Sequence, residues 1–339
     1  MKRASIFVAM TVFVLAGFFV IFSNANAAPV DIKVTTIQLK QQQLGEGVER
    51  FAKYAQEELK DKIRVRTYTA AQLFTGQEET QALQKGESQI AYVIGSALDM
   101  IEPSMQMLTL PYLFPNQDIT YKIMDGPVGK KLWGKVEKKG ISFLGAVSSG
   151  TNIVSNSKHP IKNVEDFKGL KLRSYGPMGA SCLRALGAMS VVTASEETYS
   201  ALQQGVIDGA ITPATVFIIR KYSDVQKYVT NPHMLNASFG FLIASSEWWN
   251  KLPADIRTGL MKATDRLMKE QRKEMAEQDI QLLQQIVAKG CQLYTQTPAE
   301  EAAWKKALLP VYKEFTPMIG ADLIKETQQE AERLSKEKK

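Results

Sequence analysis

Two stretches, ALQKGESQIAY (82–92) and ALQQGVIDGAI (201–211), repeat one order of parts: the end of a helix, a glycine, an acidic residue and an apolar strand. An order of that kind, found once in each half of a chain, predicts two similar α/β lobes. Working outward from the first copy, IKVTTIQL (32–39) and IRVRTYT (63–69) alternate apolar and polar residues as strands do. Between them Val48, Phe51, Ala52, Ala55 and Leu59 form a helical stripe. Strands alternating with helices predict a parallel, doubly wound sheet.

Around the second copy, ISFLGAVSSGTNIVSN (141–156) predicts two strand segments about a polar turn. NVEDFKGLKLRSY (163–175) predicts a short helix and a strand, GASCLRALGA (179–188) a helix and MSVVTA (189–194) a strand. From Pro253 to Gly290 the apolar residues keep helical spacing through Ile256, Leu260, Leu267, Met268, Met275, Leu283, Ile286 and Val287. Such a helix would run about 55 Å, longer than one small lobe. Its stripe drifts with a 3.6 period instead of holding strict heptads, which predicts a brace across both lobes and not a coiled-coil arm.

Lys2 and Arg3 precede the apolar run IFVAMTVFVLAGFFVIF, and Ala25 and Ala27 have the spacing that signal peptidase accepts. Residues 1–27 are therefore expected to be a cleavable secretory signal, placing the mature chain from Ala28 in the periplasm. The rival is an uncleaved anchor, because the run approaches the length of a bilayer span. The formal charge is +7, of which Lys2 and Arg3 contribute two, leaving +5 on the mature chain. That is too modest and too interspersed for a nucleic-acid partner. Cys182 and Cys291 stand alone without a framework spacing; an oxidising compartment permits a disulfide, but separate buried thiols are the commoner outcome.

Enzyme signatures are sparse. His159 and His233 each neighbour a proline and lack metal-ligand spacing, and no C-x-x-C or G-x-S-x-G occurs. GPVGKK (126–131) lacks full phosphate-loop spacing. Carboxylates such as Glu57, Glu58, Glu78 and Glu79 are expected on solvated helical faces. No cofactor and no metal are expected.

What remains is a set of polar residues at strand ends, where open α/β sheets bind ligands. Arg173 ends the strand of LKLRS, and its planar fork of donors suits a carboxylate, sulfonate or phosphate. An internal ion pair with Glu197 or Asp208 is the alternative. Ser148, Ser149, Thr151 and Asn152 mark a second end, Thr212 a third, and Tyr92 and Gln38 the corresponding ends of the first lobe.

In this chain LPYLF (110–114), DGPVGKKL (125–132), IKNVEDFKGLKLRS (161–174), ALGA (185–188) and EETYSALQQGVIDGAITP (196–213) follow one another in order. From about Ile32 to Met318 the chain thereby resembles the DctP-type solute-binding receptors of tripartite ATP-independent periplasmic (TRAP) transporters. The resemblance implies a two-lobed periplasmic binding protein fold of type II-like α/β architecture, with a long lobe-bridging helix. It also implies a ligand closed between the lobes and a membrane permease of small and large subunits as the partner. It assigns Arg173 as the clamp on a ligand carboxylate and Thr212 as a contact where many members carry Asn. A second basic contact of sialic-acid-type members falls on Asn152 and their acidic contact on Ile94, which argues against a sialic-acid-like ligand. SYGP (174–177) reshapes the loop beside Arg173, so that Tyr175 and Tyr92 would offer ring faces to the ligand. With Ser149, Gln38 and Ser195, these residues make the candidate ligand-binding set.

The expected function is reception of a small organic anion, a carboxylate that is aromatic or a sulfonate in the variants considered, by a monomer without enzymatic activity. An ATP-driven importer's binding protein and a secreted two-domain enzyme are the alternatives. The expected boundaries are 28–149 with 239–275 for lobe I, 150–238 with 276–325 for lobe II, and a flexible tail over 326–339.

Overall fold

In the computed structural model of the protein, residues 28–174, 176–193, 197–232 and 238–337 are described. The expected signal, together with Tyr175, Ser195 and His233, lies outside them. The first part of the chain forms β1 (Val30–Thr35), α1 (Gln43–Leu59), β2 (Ile63–Tyr68), α2 (Gly76–Gln84), β3 (Ile90–Ile94), α3 (Gly95–Asp99), α4 (Gln117–Asp125), α5 (Pro127–Glu137) and β4 (Ile141–Ser148). The chain then crosses into β5 (Asn152–Asn156), β6 (Lys171–Arg173), α6 (Gly176–Ala185), β7 (Met189–Val191), α7 (Thr198–Gln203), β8 (Gly209–Pro213), α8 (Ala214–Ile219) and β9 (Tyr228–Asn231). It returns as β10 (Phe239–Ser245), α9 (Ser246–Lys251) and α10 (Ala254–Ala288). It ends with β11 (Gln292–Thr295), α11 (Pro298–Ala307), α12 (Leu309–Ile319) and α13 (Ala321–Glu337).

Two sheets result, in the orders β2-β1-β3-β10-β4 and β11-β9-β5-β8-β6-β7. Neither is wholly parallel, contrary to the sequence expectation. β10 runs antiparallel between β3 and β4, and β5 runs antiparallel to both β8 and β9. The reason is the double crossing: a strand that enters a sheet from the other lobe arrives at the end its neighbours leave from. The architecture is the expected two-lobed α/β fold with a lobe-bridging helix. The first sheet buries Ile32, Val34, Tyr92 and Leu242 against α1 and α10 on one face. Its other face joins a core that continues through Met105, Met107, Leu110 and Phe114 to Leu172, Leu183 and Trp304 around the second sheet.

α10 spans 35 residues and contacts α1 and β4 on one side and α8 and β11 on the other. Arg50 of α1 holds it through Glu270 and Glu274, each at 2.6 Å. Two expectations about the termini and surface fail. Residues 326–337 are the rear of α13 and not a loose tail, with Thr327, Ala331 and Leu334 buried where the helix packs on α4 and α5. Glu79 is only 2% exposed, because the Thr75–Glu78 cap starts α2 in a phase that turns Glu79, Thr80 and Leu83 toward the sheet. Its burial pushes the carboxyl up to about 7, offset in part by the Thr35 hydroxyl beside it. Cys182 and Cys291 are separate buried thiols, and burial pushes the Cys182 thiol up to about 12.

Candidate functional site

β1 and β3 point their carboxyl ends, and β6 and β8 theirs, toward the segments that cross between the sheets. A parallel strand ends there in backbone groups no longer used by the ladder, which is why ligands collect at such ends. Arg173 is the last residue of β6, in register with Val191 of β7 and Ala210 of β8. It is 3% exposed, and its Nε donates to the Thr193 carbonyl at 3.2 Å. That bond steers the guanidinium along the sheet end. Asp208 is not the internal counter-ion considered for it. The Asp208 carboxylate accepts from the Lys171 backbone N–H at 2.8 Å and pairs with Lys158 at 3.4 Å, and so fixes the start of β6.

Thr212, fully buried, lies two residues beyond Ala210 on β8. Side chains two apart on a strand share a face, so Thr212 and Arg173 stand on the same side of the second sheet. Asn152 opens β5 opposite Pro213, one register step away, and therefore starts on the other face at the same sheet end. Ser149 lies in the crossing itself, its N–H bonded to the Ser238 carbonyl at 2.7 Å.

Two first-lobe candidates have structural work instead. Tyr92 is fully buried, and its hydroxyl donates to Gln271 of α10 at 2.7 Å. A Cβ on Gly47 would meet its ring at 2.5 Å, so the ring is packed against α1 and offers no face to a ligand. Burial drives its hydroxyl well above the ordinary tyrosine range. Strand alternation alone does not tell a cleft-facing Tyr from one under a helix. Gln38 turns its side-chain oxygen to the Leu44 N–H at 3.0 Å and so caps the start of α1. Sequence reading missed Gln43, whose side-chain amide reaches the Ser148 carbonyl at 2.7 Å, and Asp279, which binds the crossing segment. Neither carries a motif; their partners are distant in sequence.

Among the described residues no group of three or more His, Cys, Asp or Glu side chains is placed to hold a metal ion. The family model for bacterial extracellular solute-binding protein family 7, DctP, matches residues 35–317. The chain belongs to that family. A family 7 relative, the C4-dicarboxylate-binding periplasmic protein DctP of Rhodobacter capsulatus, is 32% identical over 314 residues, covering 88% of this chain and 90% of the relative. Among solved structures, a TRAP periplasmic solute-binding protein from Sulfurospirillum deleyianum with bound succinate is 35% identical with a TM-score of 0.77. The match covers 89% of this chain and 99% of that one. A TRAP periplasmic solute-binding protein from Ochrobactrum anthropi, described with its C-terminus in the ligand-binding pocket, is 28% identical at a TM-score of 0.85. It covers 91% and 97% of the two chains. Family 7 proteins are receptors, which accords with the scarcity of enzyme signatures in the sequence.

Proposed function

We propose that this chain is an extracytoplasmic receptor that closes its two lobes on a small organic anion and passes it to a TRAP membrane permease. One carboxylate of the ligand is held by Arg173, and C4-dicarboxylates are the first class to try. The observation that carries the reading is a buried guanidinium at the end of an interior strand, with Thr212 on the same face. A carboxylate pairs with such a planar fork bidentately, and exclusion of water on closure strengthens the bond. The relatives named for C4-dicarboxylate or crystallised with succinate support the ligand class. Export through a signal over 1–27, and residence in the periplasm, belong to the same proposal. The aromatic variant loses one of its two proposed rings to the core at Tyr92.

The test is calorimetric titration of the mature chain with succinate, malate and fumarate, alongside sugar acids, benzoate and an alkyl sulfonate. Sugar acids belong in the panel because Thr212 and Asn152 are neutral hydrogen-bonding groups. A dicarboxylate is expected to bind, and R173A to weaken it by well over tenfold, several kcal/mol for a desolvated pair. Loss of less than tenfold, about 1.4 kcal/mol, sinks the clamp.

A further inference from the structure

The first crossing between the sheets is only three residues long, Ser149, Gly150 and Thr151, and it is gripped from one side. Asp279, on the last third of α10, accepts the Thr151 backbone N–H at 3.0 Å and the Thr151 hydroxyl at 2.9 Å through its two carboxylate oxygens. The second oxygen also takes the side-chain amide of Gln117, the first residue of α4, at 3.2 Å. Three donors from two separate parts of the chain thus converge on one carboxylate, which has acceptor sites for all of them. Hydrogen bonds to an ionised acceptor are about twice as strong as neutral ones.

Gly150, just before the gripped residue, has φ +95°, a conformation that side chains resist. A Cβ there would also lie 2.9 Å from the Asp279 carboxylate and 3.2 Å from the Met275 methyl. The crossing thus turns at Gly150, whose N–H donates to the Ser148 hydroxyl at 3.1 Å, and is held to α10 at Thr151. On the far side the Thr151 carbonyl accepts the Ala214 N–H at 2.9 Å, at the start of α8. Asn152 follows directly and begins β5. The second sheet is thus referenced to α10 as well as to β4, and α10 itself is tied to α1 through Arg50.

We propose that Asp279 is a positioning residue for receptor closure: it sets the axis about which the second lobe swings, and with it the placement of the site residues that follow Thr151. This rests on the reading of the cleft as a ligand site that closes. The measurement needs no ligand. Spin labels at K85C and Q204C, exposed positions associated with the first and second sheets, report the interlobe distance distribution, the native thiols being buried. D279A is expected to broaden the ligand-free distribution roughly twofold, since the crossing loses its tie to α10. D279N is expected to keep the parental width, because its amide oxygen still serves the Thr151 N–H while the Thr151 hydroxyl and the Gln117 amide reverse their roles. An unchanged width in folded D279A, or a D279N as broad as D279A, overturns the proposal. If D279A does not fold, T151V combined with Q117A strips two of the three donors, and a parental width there overturns it equally. Failure of every acid in the titration panel would refute the ligand reading and leave these widths interpretable.

Discussion

At the scale of single residues, two buried charges behave in opposite ways. Arg173 sits buried where the strand ladder ends, its Nε bonded to the Thr193 carbonyl. Glu79 sits under α2 against Thr35, in a face built of Leu83, Ala91 and Val93, with nothing cationic among those three neighbours. Its folded-state value of about 7 lies above the ordinary 4.5, so between those two values the folded chain holds a proton that the unfolded chain has released. Stability from this group is therefore greatest below pH 4.5, declines as pH rises through about 7 and levels off above it, the total loss being about 3 kcal/mol. Asp99, also raised to about 7 by burial, adds a decline of the same sign. E79Q is expected to flatten the slope and to raise the melting temperature at pH 8 more than at pH 5. Melting curves across that range check it, and an unchanged slope would contradict the assignment.

At the scale of elements, the second sheet depends on one close approach. Gly209 starts β8, pairs with Leu172 of β6, and faces Asn156 across β5. A Cβ there would fall 1.9 Å from the Ser155 carbonyl oxygen, which is backbone and cannot step aside. The D-G-A-I order is thus explained at both of its first positions: Asp208 anchors β6 through the Lys171 N–H, and Gly209 lets β5 lie close. G209A is expected to cost more than 2 kcal/mol, at the upper end of overpacking penalties, because the strand pair itself must open. Denaturant titration measures it; a cost under about 1 kcal/mol would mean that β5 can shift.

At the scale of the whole molecule, the two lobes are not independent bodies joined by a hinge alone. α12 packs against α6 near the second sheet and against residues 103–109 beside the first, where Tyr312 donates to the Pro111 carbonyl at 2.8 Å. α13 then lies on α4 and α5. One apolar core runs through both lobes, from Val93 and Phe241 of the first sheet to Leu172 and Ile211 of the second. Deleting residues 326–339 removes Ala331 and Leu334 from that core, and with them the buried Thr327 beside Met107. A solvated tail would be lost at no cost; the packed helix predicts a loss of about 3 kcal/mol or more, from burial of roughly 25 cal/mol per Å² of apolar surface. Thermal unfolding of the truncated chain distinguishes the two.

The sequence by itself determined the alternation of strands and helices, the doubling into two lobes and the length of α10, because each rests on a local period or a turn residue that needs no partner. It marked Arg173 as a candidate as well, since a guanidinium closing an apolar strand is anomalous wherever the chain folds. Tertiary structure alone decided the antiparallel strands, which follow from the route of the chain between lobes. It decided that Tyr92 belongs to the core, that Glu79 is buried and that the last helix is packed, because burial depends on what arrives from elsewhere. Asp279 and Thr151 are 128 residues apart, and no local pattern marks a bond that only the docking of α10 brings about.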